Sequence, residues 1–361
     1  MNPSPLLKAC IAAASACALQ PVHAQSSATV YGRLNVAMEH ASQSGAGSLN
    51  RQANHRSVLG FRGEEDLGDG LRALWQLEAA VALNTGEGGA FNRDVRVGLA
   101  GRWGTAFAGV WTLPYTAATS AFDPFYATTA GYMALLGNGS ASQTDHAQNT
   151  SAFDRRQVNQ VQYWSPTVAG VSARLAYGLN EGFVAADGAR PWLASGSVSY
   201  ARGNALFTVA AEHHDAYQAR GTSDTAAKLG VAYQWGPARL TAMAERLRYG
   251  TATGRLTRNA WHLSASWRAG AGLLKAGYGR AGNGQGPSSD TIGAVRSGAG
   301  TGAAQWTLGY DRELSKRTTL FAFFSRIQNR SAAAYDFAIN DLGAQPGSRL
   351  GVLAVGLRHS F

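Results

Sequence analysis

The sequence predicts an all-β protein: a 16-stranded antiparallel transmembrane β-barrel whose third long loop folds into the lumen. Three observations point to it. Segment after segment alternates apolar and polar residues with a period of two, the pattern of a strand with one apolar face. Short and long connections alternate along the whole chain. No apolar run approaches the ~20 residues that a membrane helix needs, and mean hydropathy is −0.16, yet the chain carries 13 Tyr, 13 Phe, 9 Trp and 44 Gly. A barrel hides its apolar face in the alternation, so hydropathy windows miss it.

The first element is a leader rather than a strand. Lys8 supplies a positive start, Ala9 to Leu19 an apolar stretch, and Val22-His23-Ala24 a small-x-small cleavage pattern. The expected division is therefore 1–24 signal peptide and 25–361 barrel. Both cysteines, Cys10 and Cys17, fall in the leader. An exported chain without cysteine has no disulfides to hold it and must rely on packing and sheet closure. Ala14-Ser15-Ala16 before Cys17 lacks the Leu usual in a lipoprotein anchor.

Sixteen strands are expected at about 29–39, 56–65, 71–83, 92–101, 104–111, 156–165, 170–179, 193–202, 204–213, 225–235, 238–249, 257–269, 272–281, 303–312, 317–328 and 350–361. The alternation is clear in most. Leu229, Val231 and Tyr233 oppose Lys228 and Gln234; Trp261, Leu263 and Trp267 oppose His262, Ser264 and Arg268. The segments 204–213 and 317–328 are apolar on both faces, and their orientation stays open. Seven connections are short turns. Eight are long: 40–55, 84–91, 112–155, 180–192, 214–224, 250–256, 282–302 and 329–349. A soluble sandwich has no reason to sort its loops this way, whereas an outer-membrane barrel keeps short turns inside and long loops outside. Closure follows from physics, because unpaired backbone N–H and C=O groups are costly in hydrocarbon. Tyr163, Tyr177, Tyr200, Tyr233, Trp235, Trp267, Tyr278 and Tyr310 fall near strand ends, where they would form interfacial girdles.

Without the leader the chain has 31 Lys and Arg against 22 Asp and Glu, a net charge of +9. Such a balance suits nucleic acid, lipopolysaccharide or anionic solutes. The alternation decides among these: the arginines fall on inward positions of a water-filled lumen, so no nucleic-acid surface is expected. The inward basic set reads Arg33, Arg62, Arg72, Arg96, Arg174 and Lys275, against Glu64, Glu78, Asp94, Asp123 and Asp145.

The loop 112–155 stands apart. Structureless connections beyond ~12–15 residues are usually functional or disordered. No Lys or Arg occurs between Arg102 and Arg155, and the loop's charges are Asp123, Asp145 and Asp154. An acidic loop facing a basic wall would set a transverse field across the lumen, which sorts ions by charge balance.

Several stretches carry a family resemblance: ATVYGRLNVAMEH at 28–40, LGFRGEEDLGDGLRALWQLE at 59–78, FNRDVRVGLAGRWGTAFAG at 91–109, VNQVQYWSP at 158–166, QWTLGYDRELSKRTTL at 305–320 and VLAVGLRHSF at 352–361. Together they span the mature chain, and it resembles the trimeric general porins of beta-proteobacterial outer membranes. The resemblance implies an outer-membrane homotrimer passing small hydrophilic solutes and ions by diffusion. It implies that 112–155 is the constriction loop, with Arg33, Arg62, Arg72 and Arg96 as the basic wall facing its acids Asp123 and Asp145. It also implies that Phe361 is the C-terminal aromatic read by the barrel-assembly machinery, and that lipid and lipopolysaccharide surround the barrel. The chain departs from the family in having Val110 and Trp111 after Gly109, Val58 before Leu59, and Phe321 and Phe323 on a strand face that is usually polar.

These residues lead to a general diffusion channel with weak anion preference. The alternative is a substrate-selective channel for a sugar or small organic anion, with Phe122, Phe125, Tyr126 and Tyr132 as an aromatic slide. An adhesion or enzyme barrel is the third class, but Glu212-His213-His214-Asp215 offers no nucleophile and reads as the start of an outer loop. No catalytic residue, metal ligand or cofactor is assigned.

Overall fold

The structure, a computed structural model, describes residues 27–89, 91–142, 150–179 and 188–361. The expected leader and Asp145 lie outside the described residues.

Sixteen antiparallel strands close into one barrel. They are β1 (Ser27–Gln43), β2 (two pieces, Gly47–Asn54 and Val58–Gly68), β3 (Leu71–Ala80), β4 (Val95–Gly101), β5 (Gly104–Thr112), β6 (Asp154–Trp164), β7 (Val171–Gly178) and β8 (Trp192–Arg202). Then follow β9 (Ala205–Asp215), β10 (Ser223–Trp235), β11 (Ala238–Thr251), β12 (Gly254–Ala269), β13 (Gly272–Ala281), β14 (Ala303–Glu313), β15 (Thr318–Asn329) and β16 (Arg349–Ser360). Each pairs with its neighbours in sequence, and β1 also pairs with β16, aligning Arg33 with Ser360 and Gln43 with Leu350. Closure leaves no edge, so every spanning backbone group finds a partner.

The faces are inverted relative to a soluble protein. Outward side chains are apolar and bare of protein: Val97 is 65% exposed, Val355 60% and Trp235 74%. Asn35, Gln76, Glu78, Gln160, Gln162, Lys228, Glu245 and Gln305 point inward and are buried. Only a hydrocarbon solvent outside and water with a polar loop inside make this arrangement favourable. No helix is long and apolar enough to cross a membrane; the strands cross. Of the aromatics at strand ends, Tyr163, Tyr200, Tyr233, Trp235, Trp267 and Tyr310 lie toward the short-turn end. Tyr177 and Tyr278 lie toward the other.

Several strands run further than the alternation indicated. The expected loop 40–55 is a hairpin: β1 and β2 continue to a turn at 44–46. The expected loop 250–256 is a two-residue turn between Thr251 and Gly254. Strand β9 runs through Glu212-His213-His214-Asp215, so these residues are strand and not the start of a loop. Above the apolar band the sheet stays paired while its outward side chains turn polar, as His40, Ser42, Asn50 and Gln52 do on the first hairpin, so no apolar-out alternation marks it. The two open orientations also resolve. Phe207, Val209 and Ala211 face out on β9, while Phe321, Phe323, Ser325 and Ile327 face in on β15.

Strand β2 is broken where it passes the lumen's midpoint. Val36 aligns with Asn54 but Arg33 with Val58, so β2 holds one residue more than β1. This is a bulge. Ser57 repairs the ladder: its Oγ accepts the Asn35 N–H at 2.8 Å and donates to the Asn35 carbonyl at 3.2 Å.

Candidate functional site

The loop between β5 and β6 enters the barrel and packs on the inner wall. It has a one-turn helix α1 (Pro114–Ala117), two 3-10 turns at Ser120–Phe122 and Tyr132–Ala134, and a short strand at 140–142 that runs parallel to the start of β6. Leu113, Tyr115, Phe122, Phe125, Tyr132, Met133, Leu135, Leu136 and Phe153 are all buried. Nearly every apolar residue of the loop therefore faces wall rather than lumen. Burying them supplies the driving force, at about 25 cal/mol per Å² of apolar surface.

A charged latch fixes the loop's root. Lys228 Nζ lies 2.9 Å from Asp154 Oδ1 and 3.7 Å from Glu245 Oε1, and Arg258 lies 3.3 Å from Glu245 Oε2, with all four side chains fully buried. Glu245 also accepts the Tyr115 hydroxyl at 2.7 Å and the Gly137 N–H at 2.9 Å. Arg258 donates to the Leu135 carbonyl at 2.5 Å. Burial, and then the neighbouring Glu245, hold the Tyr115 phenol well above its ordinary pKa of 10.0, so it stays a donor.

Further along, the Phe122 carbonyl accepts from Thr241 and Ser264. The Ala130 carbonyl accepts from Gln305 at 3.0 Å, and Thr129 donates to Glu39 at 2.6 Å. Phe125 meets Phe323 edge-on at 6.4 Å, and Phe323 stacks on Phe321 at 6.1 Å. The apolar pair on β15 is thus a seat for the loop's tip.

What remains open is a cavity of about 480 Å³ between loop and opposite wall. Its charged lining is Arg33, Arg56, Arg93, Arg155 and Arg156 against Glu78, Asp94 and Asp154, an excess of two positive charges. Arg93 pairs with Glu78 at 3.0 Å and Arg156 with Asp94 at 2.8 Å. Asp154 belongs to the buried latch. Arg33 and Arg56 have no carboxylate partner among the described residues. Arg33 donates to the Arg56 carbonyl at 3.1 Å, and Arg56 to the Ser140 hydroxyl. Arg56 sits in the β2 bulge at φ +54°, a left-handed conformation that a bulky L-residue seldom adopts. Such local strain clusters at functional positions.

Of the basic wall read from the sequence, Arg33 lines this cavity. Arg62, Arg72 and Arg96 stand nearer the short-turn end. Arg62 lies 5.2 Å from the Tyr31 ring, and Arg72 pairs with Glu64 where both are exposed. Arg96 is boxed by Phe107, Trp111 and Trp164 at 4.9, 4.2 and 5.0 Å. Trp164 also carries Arg174 at 4.6 Å. Lys275 pairs with Asp311 at 2.6 Å.

Asp123 does not face the opening. It is buried, and its carboxylate accepts the Phe125 N–H at 2.9 Å and the Tyr132 N–H at 2.7 Å, tying the loop to itself. The aromatic slide is absent for the same reason: Phe122, Phe125 and Tyr132 pack on the wall, and Tyr126 alone of the four lines the cavity. Sequence reading missed Arg56, Arg93 and Arg156. Arg56 lies in the Asn-His-Arg-Ser run that interrupts alternation, the one signal of the bulge.

At the C-terminus, Phe361 and Gly32 exchange two backbone hydrogen bonds at 3.1 Å. The Phe361 ring lies over Gly32 so closely that a Cβ there would come within 2.4 Å of it.

A closed barrel with an inverted hydrophobic pattern and an in-folded loop invites comparison with known channels. The Gram-negative porin family matches residues 9–332. The chain belongs to the Gram-negative porin family. It is 28% identical to outer membrane porin protein 32 of Delftia acidovorans over a 370-residue alignment covering 98% of this chain and 99% of that one. Major outer membrane protein P.IA of Neisseria meningitidis is 35% identical over 124 residues, 34% of this chain and 28% of its own length. Among solved structures, the anion-selective porin from Comamonas acidovorans superposes with a TM-score of 0.78 at 27% identity, covering 93% of this chain and all of that one. OmpT of Vibrio cholerae, in a trimer form, shares the fold at a TM-score of 0.65 and 14% identity. This porin is an outer-membrane protein whose function is passage through the barrel.

Proposed function

We propose that this porin is a general diffusion channel with weak anion preference, acting as a homotrimer. One observation carries the reading: Arg33 and Arg56 line the opening between loop and wall without a carboxylate partner among the described residues, while Arg93 and Arg156 are ion-paired, Asp154 is latched, and Arg155 is buried against Gln157 and the Ala152 carbonyl. Close opposite charges largely cancel at a distance, so the field in the opening is set by the excess. Anions are drawn in and held weakly enough to leave. The solved relative from Comamonas acidovorans is anion-selective, which supports the same sign. The packing of Phe122, Phe125 and Tyr132 into the wall leaves little apolar surface for a particular solute, which favours general diffusion over a substrate-selective channel. The short-turn end, holding both termini, is assigned to the periplasm and the long-loop end to the outer face. Phe361 is assigned as the terminal signal for barrel assembly.

The test is a planar bilayer with a KCl gradient. A reversal potential on the chloride side, with ohmic current that small sugars neither block nor saturate, is expected. A potassium-side potential would overturn the anion preference, and saturable block by one solute would favour the selective channel.

A further inference from the structure

The inner wall of β4–β7 carries a cluster that ion preference does not account for. On β5, Phe107 and Trp111 point inward on either side of Gly109, their rings 5.3 Å apart. Gly109 has no side chain to fill the space between them. Arg96 of β4, aligned with Gly109 across the ladder, fills it, with its guanidinium 4.9 Å from the Phe107 ring and 4.2 Å from Trp111. Trp164 of β6 closes a third side at 5.0 Å and meets the Phe107 and Trp111 rings edge-on. Arg174 of β7, aligned with Trp164, lies 4.6 Å from the same indole.

Hydrogen bonds fix the two indoles. Trp164 Nε1 donates to Gln162 Oε1 at 2.9 Å, and Gln162 Nε2 donates to the Thr112 carbonyl at 3.0 Å. Gln160 Nε2 donates to the Trp111 carbonyl at 2.5 Å. Phe122, Phe125 and Tyr132 are turned to the wall, but Trp111 and Trp164 stay half exposed inside the barrel. The two guanidiniums lack acceptors. Arg96 Nε and Nη1 are buried with no hydrogen-bond partner, Arg174 is exposed, and neither arginine enters an ion pair among the described residues. The inward acids nearby are taken, Glu64 by Arg72 and Asp94 by Arg156.

We infer that Arg96, Arg174, Trp111 and Trp164 form a weak subsite for small aromatic carboxylates passing through the channel, with the carboxylate on the guanidinium edges and the flat ring against the indoles. Aromatic rings cover the faces of a guanidinium, where no hydrogen bond forms, and leave its N–H edge to an acceptor. That edge is a fork that matches a carboxylate. Both guanidiniums lie within 5.0 Å of one indole centroid, so one small anion feels the field of both. A chloride ion uses the charge alone and a neutral aromatic the rings alone; a benzoate-like anion uses both. Trp111 stands where the chain departs from its family, so the subsite belongs to this sequence. The inference rests on the barrel carrying solutes and not on the sign of its ion preference.

The test uses the intact purified porin in deuterated detergent, with binding read by saturation-transfer NMR of the ligand. The probes are benzoate, cyclohexanecarboxylate, which keeps the charge without the flat ring, and benzyl alcohol, which keeps the ring without the charge. The parent porin is expected to bind benzoate about tenfold more tightly than either other probe. The Trp111→Leu/Trp164→Leu variant should bind the two carboxylates alike, and Arg96→Gln/Arg174→Gln should bind benzoate and benzyl alcohol alike. Both variants should still change mobility on boiling, as a folded barrel does, and the comparison of probes on the parent needs no variant. Equal affinity of the parent for cyclohexanecarboxylate or for benzyl alcohol would overturn the subsite, and so would either variant binding benzoate as the parent does. A chloride-side reversal potential without benzoate preference would overturn the subsite alone. A potassium-side potential with that preference intact would overturn the anion reading alone.

Discussion

Arg56 shows what a single residue can do in this barrel. It is held in a left-handed conformation by a bulge whose ladder Ser57 repairs, and its guanidinium lines the opening with no carboxylate in ion-pair contact among the described residues. Arg33 opposes it from the next strand and donates to its carbonyl. The paired arginines Arg93 and Arg156 lie in the same lining but spend their charge on Glu78 and Asp94. At this scale the prediction is direct. The Arg33→Gln/Arg56→Gln variant keeps hydrogen-bond donors and removes the excess charge, so the chloride-to-potassium permeability ratio should fall by roughly a factor of two or more. The reversal potential in a KCl gradient reads it, and an unchanged potential would move the selectivity elsewhere. The sequence showed Arg33 through its inward position. It could not show Arg56, because an extra residue in β2 shifts the alternation by one, and that shift comes from pairing with β1.

At the scale of the element, the in-folded loop is held by two kinds of attachment. Apolar side chains from Leu113 to Leu136 are buried, and the Lys228–Asp154–Glu245–Arg258 group bonds the loop's root to β10, β11 and β12. Taking charges out of water is costly, and this group is tolerable because Tyr115, Gly137 and Leu135 supply further hydrogen bonds. Glu245→Ala would leave Lys228 and Arg258 facing each other without the carboxylate between them. Removing one partner of a buried pair costs about 3–5 kcal/mol. The loop should then detach while the barrel, closed by sixteen ladders, persists. Single-channel records should show larger, noisier conductance with the heat-denaturation temperature of the barrel little changed; quiet parent-like conductance would show that the apolar contacts suffice. The loop's length and missing basic residues marked it in the sequence as special. Of its two acids singled out there, Asp123 serves the loop's own turns, because a carboxylate beside free backbone N–H groups bonds to them before it can face a lumen, and Asp145 lies outside the described residues.

At the scale of the molecule, closure is the organising fact. β1 meets β16 along eleven aligned residues and Phe361 continues the ladder to Gly32. With no edge to open, unfolding needs many ladder bonds to break together. If three barrels associate as proposed, the protein should migrate on a denaturing gel as a compact oligomer when unheated and as a monomer near its chain mass after boiling. A single heat-independent monomer band would exclude a stable trimer.

The sequence by itself determined the class, the number of strands and, on all but β9 and β15, which faces meet lipid, because a period of two with apolar outward residues has one physical solution in a membrane. It also singled out the long loop. Strand ends were beyond it where the outward face turns polar, as in β1–β2 and β11–β12, since pairing there leaves no apolar-out alternation. Only the tertiary structure decided which charges share the opening, because that depends on the β2 bulge, on ion pairs between strands, and on a loop that turns its aromatics to the wall and leaves Arg33 and Arg56 to the water.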